Sequence, residues 1–148
     1  MSSNADYTVL IVDDNTDLLT LMADSLRLLG DFNVVTADNG ATALERYFEV
    51  RPDCVIIDIV MPGLDGYQLI HALRGDAASS STPLVVLSAL GQQRDQLAGL
   101  LSGADEYLMK PVTPLQLVEV MRKVQHRSEE ERRAQQLALL EEGLALPE

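Results

Sequence analysis

Residues 54–70 read CVIIDIVMPGLDGYQLI, and three patterns follow one another inside that stretch. Cys54–Ile57 is an unbroken apolar run rich in β-branched residues, as a strand buried on both faces reads. Asp58 ends it. Met61-Pro62-Gly63 then reads as a tight turn. From Asp65 to Arg74 the apolar residues Leu69, Ile70 and Leu73 recur at helical spacing. A strand that ends on a carboxylate, turns and enters a helix is one βα unit, and the rest of the chain is searched for repeats of it.

The repeats are there. Tyr7–Val12, Asn33–Thr36, Leu84–Leu87 and Glu106–Leu108 are further apolar runs, the last the least pronounced. Helical patterns fill the gaps. Thr16–Leu29 places Leu18, Leu21, Met22, Leu26 and Leu29 on one face, with Gly30 closing the helix. Ala41–Val50 does the same with Ala43, Leu44, Tyr47 and Phe48. Gln92–Leu101 is a weaker helix stopped by Gly103, and a last one opens near Thr113 with Pro114 in its first turn. Five strands alternating with five helices predict an α/β fold with right-handed crossovers and a doubly wound parallel sheet. Of the two strand orders that compete, the flavodoxin-like 2-1-3-4-5 is the expected one, and either order puts a ligand outside the carboxyl ends of the strands.

Composition sets limits on function. The chain has 148 residues, 47% of them apolar, which suits one domain with a real core. With 23 acidic against 11 basic residues its net charge is −12, a field that repels phosphate backbones and argues against nucleic-acid binding by this segment. A single cysteine, Cys54, excludes an internal disulfide and reads as a small buried hydrophobe in a reducing compartment. The polar start MSSNADY lacks the pattern of a signal peptide, and no apolar stretch approaches the ~20 residues of a membrane span. A cytoplasmic protein is expected.

The strand ends carry the chemistry. The first run ends in Asp13-Asp14, the third in Asp58, the fourth in Ser88-Ala89 and the fifth in Lys110-Pro111. One sheet edge therefore collects three carboxylates, a hydroxyl and an ammonium. Clustered carboxylates repel one another, and a hard cation that keeps several waters, as Mg²⁺ does, relieves that repulsion. With Lys110 nearby the cluster is a seat for a dianionic phosphoryl group attacked in line by a carboxylate. Each residue alone has a plainer reading. Asp14 or Asn15 can cap the next helix, Asp58 can be a loop carboxylate, Ser88 a turn residue, and Lys110-Pro111 a strand-to-helix turn. Independent caps and turns have no reason to converge on one edge, so the joint reading is the stronger. Gly66 reads as a packing residue, and His71 and His126 as surface residues on helices.

The strings IVDDN, IIDIVMPGLDGYQLI, VVLSA and YLMKP, in that order, resemble the signature of bacterial response-regulator receiver domains over roughly residues 7–125. The resemblance implies two-component phosphorelay signalling and not an enzyme in the usual sense. It implies Asp58 as phospho-acceptor, and Asp13 and Asp14 as the acidic pair at Mg²⁺, Asp14 the more direct ligand. It further implies the Val60 backbone carbonyl as a ligand, Ser88 as the switch hydroxyl and Lys110 as the family's lysine. A cis bond before Pro111 and a Tyr107 ring that changes rotamer when Ser88 is drawn to the phosphoryl group belong to the same pattern. Phosphorylation would then reshape the surface of the fourth helix, fifth strand and fifth helix. The implied partners are a sensor histidine kinase or a histidine phosphotransfer protein, with a homodimer through that surface or the C-terminal helix.

Other positions add expectations. Ala89 is small and leaves the phosphoryl group accessible. Val60 and Leu90 stand where the family influences the attacking water, and neither can orient it by hydrogen bonding. Residues 75–82, GDAASSST, read as a mobile polar loop. Beyond residue 125 the extension 126–148 contains no Gly or Pro until Gly143, so the last helix can extend from Leu115 to Glu142, about 28 residues or roughly 42 Å. Glu129 and Glu130 support it through pairs with Arg132 and Arg133, and Leu137, Leu140 and Leu144 form an apolar patch. The ending Leu146-Pro147-Glu148 suggests a longer regulator. Two alternatives stay open: a regulatory module of an enzyme such as a cyclase or protein phosphatase encoded beyond Glu148, and a haloacid-dehalogenase type of hydrolase. The second is disfavoured because that family's nucleophile lies on the first strand in an Asp-x-Asp pattern.

Overall fold

The computed structural model describes residues 6–59, 66–88 and 103–144. Within them the elements are β1 (Thr8–Val12), α1 (Thr16–Gly30), β2 (Asn33–Ala37), α2 (Gly40–Val50), β3 (Cys54–Asp58), α3 (Gly66–Gly75), β4 (Leu84–Ser88), β5 (Glu106–Met109), α4 (Pro114–His126) and α5 (Glu129–Leu144). The strands are all parallel in the order β2-β1-β3-β4-β5, the expected topology.

Period-two alternation builds two cores. Val9, Ile11, Cys54, Ile56, Val85 and Leu87 face α1 and α4, which contribute Leu19, Met22, Leu26, Leu117, Met121 and Val124. Leu10, Val12, Val55, Ile57, Leu84 and Val86 face the other way, onto Ala43 and Tyr47 of α2 and Leu69, Ile70 and Leu73 of α3. Helices cover both faces, which is why β3 and β4 are buried at every position and read as unbroken apolar runs. Cys54 is one of these buried residues, and burial pushes its thiol pKa up, so it is inert filling.

Helix ends depart from expectation in instructive ways. The left-handed residue after α1 is Asp31, at φ 57°, and Gly30 is the helix's last turn. Gly30 serves packing: a Cβ there would sit 2.6 Å from the Phe32 ring. Arg51 takes the same left-handed role after α2, at φ 54°.

The last helix is interrupted, where one continuous helix was allowed. α4 opens with the Thr113–Gln116 capping box and ends at Arg127, whose extended ψ of 136° breaks the run. Ser128 then starts α5. Its hydroxyl accepts from the Glu131 amide (3.1 Å), and the Glu131 carboxylate accepts from the Ser128 amide (3.3 Å). This is a second capping box, Ser-x-x-Glu, and it begins a new helix without Gly or Pro. Residues 75–82 are also held more firmly than expected. The Ser79 hydroxyl, fully buried, donates to Leu73 O (2.6 Å), and Arg74 donates to Thr82 O (2.6 Å) and Ser80 O (3.2 Å). The hydroxyl and guanidinium satisfy carbonyls that a mobile loop would leave to water. No described helix is long and apolar enough to cross a membrane.

Candidate functional site

Three strands deliver carboxylates and an ammonium to one point. Asp13 follows β1, its amide donating to Ala37 O of β2 (3.2 Å). Asn15 takes the helix cap of α1, its side chain accepting from the Leu18 amide (3.1 Å). That leaves the aspartates before it to other work. Asp13 is fully buried; Oδ1 accepts from the Asn15 amide (2.9 Å) and Oδ2 from Lys110 Nζ (3.0 Å). Asp58, the last residue of β3 and also buried, has Oδ2 3.4 Å from the same Nζ. Asp14 is exposed at the rim, and one carboxylate oxygen each from Asp13, Asp14 and Asp58 lies within 4.8 Å of the others.

The main chains of Ser88 and Lys110 are tied together at the sheet edge. Ser88 ends β4, is buried, and accepts the Lys110 amide on its carbonyl (2.6 Å). The Lys110-Pro111 bond is cis, as the resemblance implied. Burial alone would lower the Lys110 pKa, but the hydrogen bond and charge of Asp13, and then Asp58, outweigh it and hold the ammonium above its usual value. The lysine is a fixed cation at neutral pH.

Gly66 explains the close approach of α3. A Cβ there would collide with Asp58 O and lie 2.6 Å from Ile59 Cα, while its amide donates to Ile59 O (3.0 Å). Only glycine lets the helix abut the strand end that carries Asp58. Tyr107 lies mid-β5, half-buried against the α2/α3 core. His71 and His126 are exposed, as read. The Val60 carbonyl, the 61–63 turn, Ala89, Leu90 and helix 92–101 lie outside the described residues.

Sequence reasoning missed a second polar centre, at the opposite ends of β4 and β5. Asp105 is 1% exposed. Its Oδ2 accepts from the Leu84 amide (2.9 Å), Arg74 Nη2 (3.1 Å) and Arg132 Nη2 (3.1 Å). Oδ1 accepts from Arg132 Nε (2.8 Å) and Gln136 Nε2 (3.1 Å). Arg127 adds bonds to Asp105 O (3.3 Å) and Glu106 Oε2 (2.8 Å). α5 is therefore docked on its own domain through Arg132 and Gln136. Of its described side chains only Leu139 is buried, and Leu137, part of the expected apolar patch, is 58% exposed.

The family model for the response regulator receiver domain matches residues 9–122. The chain belongs to that family. The transcriptional regulatory protein PrrA of Mycobacterium leprae is 47% identical over 110 residues, 74% of this chain and 46% of PrrA. The DNA-binding response regulator MtrA of Mycolicibacterium smegmatis is 38% identical over 123 residues, 83% of this chain and 52% of MtrA. The receiver thus spans about half the length of these curated relatives. Among solved structures, chemotaxis protein CheY4 of Vibrio cholerae superposes with a TM-score of 0.74 at 29% identity, covering 80% of this chain and 98% of that one. Two-component signalling is the function of this receiver family.

Proposed function

We propose that this receiver is a phospho-acceptor switch in which Asp58 takes a phosphoryl group from a phosphohistidine on a sensor kinase or phosphotransfer protein. The observation that carries the reading is the convergence of Asp13, Asp14, Asp58 and Lys110 at one sheet edge. A carboxylate oxygen of Asp58 attacks phosphorus; the P–O bond forms as the P–N bond breaks, and the imidazole leaves with the electron pair and is protonated by water. Lys110 neutralises a phosphoryl oxygen, and the Ser88 hydroxyl donates to another. The donor set fits one Mg²⁺ ion with part of its water shell after a small side-chain adjustment: the carboxylate oxygens lie within 4.8 Å of one another, and oxygens about 2.1 Å from one metal are at most about 4.2 Å apart. Asp13, Asp14 and Asp58 would hold that ion, with Val60 O as the further ligand that the resemblance implies. When bound it supplies divalent charge that offsets the phosphoryl dianion. Residues 1–125 form the receiver on this reading, with 126–148 as its helical extension, in the cytoplasm. The relatives' names support transcription control as the output of the full-length protein.

Intact-mass spectrometry tests the assignment. With Mg²⁺ and a small-molecule phosphodonor the chain should gain one phosphoryl group, and the Asp58→Asn variant none. Incorporation into Asp58→Asn at the wild-type rate would place the acceptor elsewhere. Light scattering on the same samples separates a phosphorylation-driven dimer from an output through another protein. Apolar Val60 and Leu90 lead us to expect slow self-dephosphorylation. The double variant Val60→Asn, Leu90→Glu should shorten the phosphoryl half-life several-fold, and an unchanged half-life would discard that explanation.

A further inference from the structure

Helix α5 is bound to the receiver, and the manner of binding is unusual for a permanent part of a fold. A permanently packed helix buries an apolar stripe. Among the described residues α5 fully buries only Leu139, with Leu140 half-buried, and its other contacts are polar: the Arg132 fork and Gln136 on Asp105, and Gln135 near Glu106 Oε2 (3.5 Å). Among the described residues such an attachment is strong in geometry and poor in buried apolar area, a combination that favours reversible docking.

Both halves can also survive separation. Without α5, Asp105 keeps Arg74 and the Leu84 amide. Arg132 moves into water near the charge of Glu129, three residues earlier on the same helix, and Ser128–Glu131 still cap the helix start. Neither state strands a buried charge, which is the requirement for a two-state element.

The dock and the aspartate site are joined by two adjacent strands. β4 begins at the Leu84 amide that donates to Asp105 and ends at Ser88. β5 begins just after Asp105 and ends just before Lys110. The pair runs in register from Val85–Glu106 to Ser88–Met109, and the main chain ties it at both ends, Asp105 N to Leu84 O (2.7 Å) and Lys110 N to Ser88 O (2.6 Å). A shift of β5 against β4 at Ser88 and Lys110 therefore has a direct main-chain route to Asp105.

We propose that the Asp105 end of β4–β5 is a docking surface for helix 129–144, and that filling the Asp58 site releases the helix. The linkage rests on the acceptor reading above; the dock does not. Release frees Arg132 and Gln136 and the chain that follows them, so a signal written at one sheet edge is read at the other. Linkage is reciprocal: loosening the helix must favour the phosphorylated state equally.

Hydrogen–deuterium exchange on residues 1–148 tests both halves. The peptide covering 129–141 should exchange about tenfold faster once Asp58 is phosphorylated with Mg²⁺ present, a typical size for such coupling. Arg132→Gln with Gln136→Ala, substitutions on the helix's docking side, should give that faster exchange without phosphorylation and show little further rise on it. Circular dichroism on the same variant checks that the domain is folded. Exchange unchanged in the double variant overturns the dock. Exchange unchanged in a chain shown by intact mass to carry one phosphoryl group overturns the linkage. A chain that accepts no phosphoryl group overturns the acceptor reading and the linkage with it, while the double variant still decides the dock.

Discussion

Replacing Asp105 by Asn should lower the stability of the chain by about 3 kcal/mol, the low end of what breaking a buried ion pair costs. The substitution keeps volume and shape, so no cavity contributes. It removes the charge between Arg74 and Arg132 and turns one oxygen into a donor. Each oxygen of Asp105 already accepts from at least two donors, so either orientation of the amide points N–H groups at guanidinium or amide N–H groups. The low end applies because the side chains of Arg74 and Arg132 keep 19% and 15% of their exposure and regain some hydration. Urea unfolding should show a lower midpoint with an unchanged slope, and the melting temperature should fall by roughly 6–12 °C for a domain of this size. Arg132→Gln alone should cost far less, since Asp105 keeps Arg74. The two changes together should cost less than their sum, because Arg132 has no buried partner left to lose. A loss below about 1 kcal/mol in Asp105→Asn would mean that water already reaches the centre.

That this centre was absent from the reading of the sequence, while the aspartate site was legible almost whole, has a physical cause. Asp13, Asp58, Ser88 and Lys110 stand at the ends of strands, and strand order alone brings strand ends together. Any reading that finds the five runs finds the site. Asp105 also stands at a strand end, the entering one, but before a weakly apolar strand it looks like any loop carboxylate. Its partners Arg74 and Arg132 are 31 and 27 residues away, and nothing local marks them. The start of α5 was legible in principle: Ser128-Glu129-Glu130-Glu131 is a capping box, outweighed by the lack of Gly or Pro nearby. The left-handed turn at Asp31 carries the modest preference of aspartate for that region. Arg51 carries none, so the return of the chain to β3 imposes its conformation.

Lys110→Met should leave the fold standing and remove most of the chemistry. Methionine keeps the length and apolar stem of lysine, so the sheet edge loses only the ammonium. Asp13 then remains fully buried with its Oδ1 on the Asn15 amide and no cation at Oδ2. Asp58 loses the charge 3.4 Å from its own oxygen, on the side where a phosphoryl group would arrive. Loss of one preorganised donor to developing negative charge typically costs 10²–10³ in rate, so phosphoryl incorporation from a small-molecule donor should slow by about 100-fold or more. The alkaline limb of the stability difference between wild type and variant follows from the lysine. Because folding raises the Lys110 pKa above its ordinary 10.5, the lysine's contribution is present in full through neutral pH. It disappears as pH rises above 10.5 through the raised value, so on the alkaline side the two unfolding free energies converge only in strong alkali. The charge argument also fixes the response to Mg²⁺. The variant holds three carboxylates with no internal cation, so added Mg²⁺ should stabilise it more than it stabilises wild type. If incorporation in the variant proceeds at the wild-type rate, Lys110 is a structural strut between β1 and β3. If the rate falls while the Mg²⁺ response stays equal to that of wild type, the ammonium acts on the phosphoryl group, and the carboxylate cluster is already neutralised by other means.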